Sequence, residues 1–388
     1  MANSIRSVLS PLLSISYVCG MRIVEFPSRY RRQWFGLLYM LLLWSVYIFF
    51  VIYRIMSYLN YHSKIYVISF LVNNVLTLIS VILGVYRDKK FRKCLKKLDI
   101  VDNTLKQLGI TTDYEKLYAR IIWLIFGWLI IIIISIYCEA DWLRYEYGHD
   151  IITAIYVPFL LMYCLNINVI EDILIVTLLG YIGLKFDQIN ENFQNITRNN
   201  KLENKHFYEN IVLHSRQRSL KAISSKFITW IVIHLHLELQ KLSHEINTIF
   251  GKQMTVKMAL YFGFIAVTLR EIINLIFIHN YVHNETTYIF LMLLYIILNS
   301  CKLFFINYMC EKVSVKANKI GNLVNRISYS TYDIEVRENI SQLLLHMTQA
   351  PFRFSGIGLF QFGFKYFYQF SKSLTTVLIL LIQPFTNK

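Results

Sequence analysis

The feature that most limits the possible folds of this chain is a series of apolar runs, each long enough to cross a bilayer. A helix rises 1.5 Å per residue, so about 20 apolar residues cross about 30 Å of hydrocarbon. The runs predict an all-α membrane protein with seven transmembrane helices and no sizeable soluble domain. The predicted spans are 34–53, 65–86, 121–138, 151–184, 254–278, 287–308 and 357–383.

The composition agrees with a membrane protein and argues against a nucleic-acid partner. Hydrophobic residues make up 55% of the 388 residues and charged residues 16%, and the mean hydropathy is +0.44. The net charge of +16 would also suit a nucleic-acid binder, but such a protein carries its basic residues on a solvated face. Here they lie in the segments between the apolar runs, which makes the lipid bilayer the expected partner.

The distribution of the basic residues predicts the orientation. Of the 40 Lys and Arg residues, 31 lie in alternate segments that begin with the N-terminal arm, and only four lie in the other segments. The positive-inside rule therefore places the N-terminus in the cytoplasm and the C-terminus outside. The basic segments 87–120, 185–253 and 311–350 are predicted to be cytoplasmic helical regions, with Gly251 ending a helix before the fifth span.

The same orientation places one glycosylation sequon on the outside. Asn284 begins an Asn-Glu-Thr sequence in the short loop between the fifth and sixth spans, and is the predicted glycosylation site. The sequons at Asn195 and Asn339 would lie inside and stay unmodified.

Polar groups within the apolar runs indicate where function lies. The fourth run is predicted to be one long helix with a kink at Pro158, and it carries Glu171 and Asp172 at membrane depth. The third span is predicted to end in an acidic loop that starts at Glu139. In the fifth span, Arg270 and Glu271 either line a ligand cavity or form ion pairs that lock adjacent helices.

A ligand pocket is expected among these helices. The aromatic side chains among its candidate residues would equally suit packing, because the chain holds 27 Tyr and 27 Phe. The candidate pocket residues are Phe70, Asn73, Trp128, Tyr156, Arg270 and Glu271.

The last apolar run, wound as a helix, carries a polar stripe. Thr376, Ile379 and Gln383 lie along this stripe together with Lys372, and the opposite side is aliphatic. A polar stripe at membrane depth faces either the interior of a helix bundle or a water-filled path. Packing against neighbouring helices is the alternative.

Nothing in the motifs indicates an enzyme. His244-Glu245 begins like a zinc-protease motif, but Thr248 stands where the second His ligand is required. The six cysteines show no paired spacing and no phosphate-binding glycine loop is present. The sequence therefore predicts no catalytic residues, no metal site and no cofactor.

Three stretches resemble the insect gustatory receptor family, which is related to the insect odorant receptors. The run LHLELQKLSHEINTIFGKQM from Leu235 resembles the helix before the fifth span of that family, and FDQIN at 186–190 also fits it. The chain end resembles the family signature of Thr-Tyr, five hydrophobic residues and Gln-Phe, with Thr376 and Gln383 at the matching positions. It departs from the signature because Val377 replaces Tyr and an inserted Pro384 moves Phe385 one step on.

The resemblance implies a ligand-gated, non-selective cation channel of four subunits for taste or contact chemosensation. The last helix of each subunit would line the pore, so Thr376 and Gln383 would face it and Phe385 would stand in for the gate aromatic; helical geometry adds Ile379. The channel would open to a small-molecule tastant in the plasma membrane of sensory neurons, as a homotetramer or as a heterotetramer with related receptors.

Other classes of membrane protein share parts of this pattern. An odorant-receptor-type channel subunit would have the same fold and mechanism. A G-protein-coupled receptor is disfavoured by the charge distribution and by Tyr137-Cys138-Glu139 at the end of the third span, where an Asp-Arg-Tyr-like sequence is expected. A secondary transporter is disfavoured by the odd number of spans and the lack of internal repeats.

Overall fold

The computed structural model describes residues 4–21, 33–55, 64–207, 215–278, 285–328 and 351–386, with four single positions between 338 and 349. Among them are eight helices and one two-stranded hairpin. The elements are α1 (Ile5–Val18), α2 (Gln33–Phe50, continued by a π-helical turn, Val51–Ile55), α3 (Lys64–Gln107), α4 (Tyr114–Tyr147), α5 (Ile151–Phe207), α6 (Ser215–Phe277), α7 (Glu285–Ser328), β1 (Ser355–Gly356), β2 (Phe360–Gln361) and α8 (Phe364–Thr386).

The all-α fold class is confirmed. Six of the described helices, α2 to α7, are long and apolar enough to cross a membrane. The last helix, α8, is not among these six. Its 23 residues include Lys365, Lys372 and a run of hydroxyl side chains from Ser371 to Thr376, which lower its hydropathy. The helix expected to carry a polar stripe is therefore the least apolar of the seven predicted spans.

Helix α5 is the centre of the molecule. In its most apolar window 56% of the residues are buried, against 17–28% for the other five apolar helices. It packs against α3, α4, α6 and α7. The prediction of one long helix is confirmed: α5 has 57 residues with Pro158 inside it. At 1.5 Å per residue it is about 86 Å long, so it extends well beyond a bilayer.

The N-terminal helix α1 was not predicted. Ser4 caps it, because its hydroxyl accepts a hydrogen bond from the Ser7 N–H (3.3 Å) while Ser7 accepts one from the Ser4 N–H (3.1 Å). Its buried residues recur at helical spacing and face α3, α4 and α5. Arg6 pairs with Asp99 of α3 at 3.1 Å. The buried residues of α1 are Ile5, Val8, Leu9, Leu12, Leu13 and Ser16.

Two predicted helix ends are wrong. Gly251 does not end a helix, because α6 runs through it from Ser215 to Phe277. A Cβ at Gly251 would lie 3.2 Å from the carbonyl oxygen of Ser355, so the glycine lets the hairpin approach the helix. Glu139 does not begin a loop either. Helix α4 continues to Tyr147 and ends at Gly148, whose φ of 63° is the left-handed conformation typical of helix C-termini.

The start of the last helix also differs from the prediction. Residues from 355 to 361 form the hairpin, with Ser355 opposite Gln361, instead of the first turns of a helix. Gly358 and Gly363 have φ values of 76° and 139°, which an α-helix does not allow. Helix α8 therefore begins at Phe364 and not at residue 357.

Candidate functional site

A second, smaller apolar cluster lies at the predicted outer end of the bundle, apart from the main core. It joins Phe70 of α3 to residues of α4 and α5, and Trp142 and Tyr156 pack against it. The cluster's buried members are Phe70, Ala140, Leu143, Ala154, Val157 and Leu161. Two of the predicted pocket residues, Phe70 and Tyr156, are thus brought together by the fold.

Polar side chains adjoin this cluster on its α6 and α7 side. The Tyr288 hydroxyl of α7 donates a hydrogen bond to Glu271 of α6 (3.2 Å), and the Tyr288 ring lies 5.7 Å from the ring of Trp142. Glu139 of α4 is only 7% exposed and accepts a hydrogen bond from the Tyr295 hydroxyl of α7. The outer end therefore combines aromatic surface with two carboxyl groups, a composition typical of small-molecule sites.

The other predicted pocket residues lie elsewhere. Asn73 is buried one turn along α3 from Phe70, and its side-chain oxygen accepts a hydrogen bond from Asn168 of α5 (3.1 Å). Trp128 packs against the main core, and its buried indole N–H has no acceptor among the described residues. Arg270 is exposed. Asn284, the predicted glycosylation site, lies outside the described residues.

The structure shows one contact of the adjacent pair Arg270 and Glu271. Since adjacent residues on a helix do not face each other, at least one of the two needs a partner elsewhere. Glu271 has such a partner in Tyr288 on the next helix. This contact joins α6 to α7 beside the aromatic cluster.

Sequence reasoning missed Glu139, Trp142, Tyr288 and Tyr295. The first two were assigned to a loop, although the helical period of the apolar residues continues through 139–147. The two tyrosines lay in a span rich in aromatic residues and gave no signal of their own. Their importance follows from their contacts with residues distant in the chain. Tyr295 contacts Glu139, 156 positions away, and Tyr288 contacts Glu271, 17 positions away.

A buried charged network occupies the predicted inner half of the bundle. The ammonium of Lys257 on α6 lies 2.7 Å from Glu171 and 2.8 Å from Asp172 on α5, and all three residues are nearly completely buried. Asp172 also accepts a hydrogen bond from Tyr261, and the Lys302 ammonium of α7 lies 5.7 Å from the centre of the Tyr261 ring. The two acidic residues predicted at membrane depth are thus paired, as charges in hydrocarbon must be.

The hairpin between α7 and α8 is fastened to both α6 and α7. Asn318 of α7 exchanges two hydrogen bonds with the backbone of Phe352, each 2.9 Å long, and the Gly363 N–H donates to Asn307 (3.0 Å). Asn247 of α6 donates to the Ser355 hydroxyl at 3.4 Å. The start of α8 is therefore attached to both α6 and α7.

Helix α8 packs by one side only. Phe370 is buried against Phe262 of α6 (5.2 Å between ring centres), and Phe385 stacks on Phe277 of α6 (4.9 Å). The predicted polar stripe lies on the other side and is exposed along its whole length, from Lys365 through Tyr368, Gln369, Lys372, Thr376, Ile379 and Gln383. Of the candidate pore residues, Phe385 is only partly exposed and stacks on α6, whereas Thr376, Ile379 and Gln383 are exposed.

Comparisons with known proteins agree with this architecture. The chain is similar in fold to the insect olfactory receptor OR5 from Machilis hrabei in complex with eugenol, with a TM-score of 0.69 and 11% identity over 97% of this chain and 98% of that one. A second structure of that receptor gives a TM-score of 0.69 and 12% identity over 98% of both chains. At such identities the likeness shows the seven-helix fold alone. No curated protein sequence matches significantly.

A family model gives the assignment that the fold alone cannot. The model described as 7tm chemosensory receptor matches residues 9–384, which is nearly the whole chain. This agrees with the resemblance found at Leu235 and at the chain end, and the family is one of receptors and not of enzymes. The protein therefore belongs to the 7tm chemosensory receptor family.

Proposed function

We propose that this receptor is of the gustatory type and acts as a ligand-gated, non-selective cation channel in the plasma membrane of sensory neurons. Its N-terminus lies in the cytoplasm, its C-terminus outside, and four subunits surround one pore. The observation that carries the proposal is the polar stripe of α8, whose residues are exposed.

The stripe argues for a water-filled path. Thr376 and Gln383 would each lose hydration in lipid, and Lys372 would lose far more, so an exposed stripe of this kind facing hydrocarbon would be costly. Four copies of α8 that turn the stripe toward a common axis remove this cost, because the side chains then face water and one another. Thr376, Ile379 and Gln383 line the proposed pore, and Phe385 holds the outer end of α8 to α6.

The proposed ligand site is the aromatic cluster at the outer end. Phe70 and Tyr156 offer apolar surface, and Glu271 with Glu139 offers acceptors for hydroxyl or amino groups of a tastant. Asn73 lies one turn from Phe70 on α3, whereas Trp128 and Arg270 lie elsewhere and are not part of the proposed site. The solved relative in complex with eugenol supports a small molecule as the kind of ligand.

Gating in this proposal is a shift between two conformations. A ligand that fits the outer site better when α6 and α7 are slightly displaced favours that arrangement by its difference in affinity for the two states. The displacement reaches α8 through the hairpin, whose contacts to Asn247, Asn307 and Asn318 tie it to both helices. No further element is required between the ligand site and the pore helix.

The gustatory assignment rests on the motifs near Leu235 and at the chain end. An odorant-receptor-type subunit has the same architecture, so the ligand class separates the two. Activation by water-soluble tastants supports the gustatory type, and activation only by volatile compounds contradicts it.

The test is to express the chain in cells without related receptors, to record whole-cell current during tastant application, and to probe α8 with thiol reagents. In a Cys301→Ser background, Ile379→Cys should make an evoked current sensitive to a charged thiol reagent, because residue 379 is 63% exposed on the stripe. Leu378→Cys, half-buried on the adjoining side, is the matched control.

Block in both variants or in neither would refute the pore assignment. A signal that requires G proteins would refute the channel mechanism. Silence of the chain alone, with current restored by a related receptor, would replace the homotetramer by a heterotetramer. Loss of a glycan in Asn284→Gln, with no loss in Asn195→Gln, would support the proposed orientation.

A further inference from the structure

A cavity of about 590 Å³ opens between α3 and α6, away from both the outer site and the exposed stripe of α8. Its walls come from the part of α3 around residues 76–90 and the part of α6 around residues 248–260. Asn168 of α5 and Ile357 of the hairpin complete the lining. The volume falls within the range of about 300–1,000 Å³ that small-molecule sites occupy.

The cavity changes in character along its length. The apolar side chains of the lining include Leu83 of α3 with Val256 and Leu260 of α6, which we call the apolar wall, whereas Arg87, Lys90 and Lys252 lie toward one end, which we call the basic mouth. The other end is polar and carries no net positive charge, since Lys257 is paired with both Glu171 and Asp172. The uncompensated positive charge therefore lies at the mouth alone.

The basic mouth is held in place by contacts between α3 and α6. The Arg87 guanidinium donates a hydrogen bond to the carbonyl oxygen of Ile249, which fixes it across the two helices and leaves further N–H donors. Within the described residues, no ion pair involves Lys90 or Lys252, and both side chains are exposed. An anion at the mouth would thus meet three cations and no competing carboxylate in the lining.

The level of the mouth coincides with a predicted membrane boundary. The predicted span 65–86 ends beside Arg87, and the predicted span 254–278 begins just after Lys252. Each boundary follows from the apolar run of its own helix, so the two agree independently. Tyr86 is 77% exposed at this level, as aromatic residues at a membrane interface commonly are. By the charge distribution of the whole chain this is the cytoplasmic interface, where anionic lipids are enriched.

We propose that this cavity binds an anionic phospholipid of the inner leaflet. Its phosphate lies at the basic mouth and accepts hydrogen bonds from Arg87, Lys90 and Lys252, and an acyl chain lies along the apolar wall of Leu83, Val256 and Leu260. A basic mouth alone would suit any phosphate, but the adjoining apolar wall at membrane depth suits a phosphate that carries a hydrocarbon chain.

The position of Ile357 gives such a lipid a functional consequence. Ile357 reaches the cavity from the tight turn of the hairpin, where its own φ is 54°, and α8 begins seven residues later. A lipid in the cavity therefore contacts the element that joins α6 and α7 to the pore helix.

The test measures lipid binding by the purified full chain, so it does not depend on channel activity. The chain in detergent is titrated with phosphatidylserine or with phosphatidylcholine of the same acyl chains, and bound lipid is counted by native mass spectrometry. The variant Lys90→Gln/Lys252→Gln should bind phosphatidylserine about 30-fold more weakly, since each basic residue near an anionic surface contributes about fivefold. The control Lys89→Gln/Lys96→Gln removes the same charge from exposed positions outside the cavity and should bind like the wild type.

A third variant separates a lipid from a soluble phosphate. Val256→Trp fills the apolar wall and leaves the mouth intact, so it should reduce phosphatidylserine binding without changing the binding of inositol hexakisphosphate. The proposal is overturned if the wild type binds both lipids equally, or if the two double variants behave alike. It is also overturned if inositol hexakisphosphate binds as tightly as the lipid and Val256→Trp affects neither, because the site would then take a free phosphate.

Discussion

The charged network of α5 and α6 allows a sharp prediction about stability. Lys257 is 3% exposed, and its ammonium makes two charge-assisted contacts, to Glu171 at 2.7 Å and to Asp172 at 2.8 Å. Lys257→Met keeps the length of the side chain and removes both contacts. The charges of the whole cluster, Lys257, Lys302, Glu171 and Asp172, sum to zero. Lys257→Met therefore leaves one uncompensated negative charge in a buried site.

The expected cost is about 3–5 kcal/mol, the usual loss when one partner of a buried ion pair is removed. Most of it comes from the carboxylates that stay behind, because a buried charge without a partner is far more costly than a buried neutral group. A second substitution set should therefore restore stability. In Lys257→Met/Asp172→Asn the remaining charges of Glu171 and Lys302 sum to zero, and the new amide oxygen at position 172 still accepts the hydrogen bond from Tyr261.

The assay follows the monodisperse fraction of detergent-solubilised protein after heating, by size-exclusion chromatography. Lys257→Met should have a clearly lower midpoint than Lys241→Met, an exposed lysine on the same helix. The double variant Lys257→Met/Asp172→Asn should recover most of the difference. A Lys257→Met protein as stable as the Lys241→Met control, or a double variant less stable than Lys257→Met, would refute the account of the network as a desolvated, mutually neutralised cluster.

Two further predictions concern the hairpin and the outer site. Gly363→Ala should lower the stability by about 1–3 kcal/mol, because φ is 139° there and a Cβ would overlap a carboxylate oxygen of α7. The control Gly321→Ala lies in a helix with open space around the Cβ and should raise the stability by up to about 1 kcal/mol. Equal melting midpoints would contradict this. Tyr295→Phe should destabilise the protein more than Tyr288→Phe, because Glu139, the carboxyl partner of Tyr295, is buried and Glu271, the partner of Tyr288, is half-buried. The reverse order of melting midpoints would count against the outer-site geometry.

The membrane architecture was predictable because the bilayer sets one length and one hydropathy for every span. Helix α5 is the clearest case, since an apolar run of 34 residues is too long for one perpendicular crossing and too short for two. The N-terminal helix α1 was not predictable in the same way. Its 14 residues are too few to cross a bilayer, and it is ordered by packing against α3, α4 and α5.

Local signals failed where tertiary contacts override them. Glycine commonly ends helices. Here α6 continues through Gly251, and the hairpin can approach the helix because this residue has no side chain. The acidic segment after Cys138 has the composition of a loop, yet Glu139 is buried against Tyr295 and the helix goes on for two more turns. The candidate sites were hard to predict for the same reason, because their partners are distant in the chain: Glu139 and Tyr295 are 156 residues apart.

The geometry of α6 explains how the outer and inner parts of the receptor can act together. Helix α6 is one uninterrupted element of 63 residues, and its outer end contacts α7 through Glu271 while its inner part contacts the hairpin through Asn247. A rigid helix transmits a tilt at one end to the other, and the Lys257 network supplies a fixed point on α5 between them. Helix α8 lies along the same helix through Phe370 and Phe385. In the proposed mechanism, a displacement at the proposed ligand site therefore reaches the exposed stripe of α8 through these contacts.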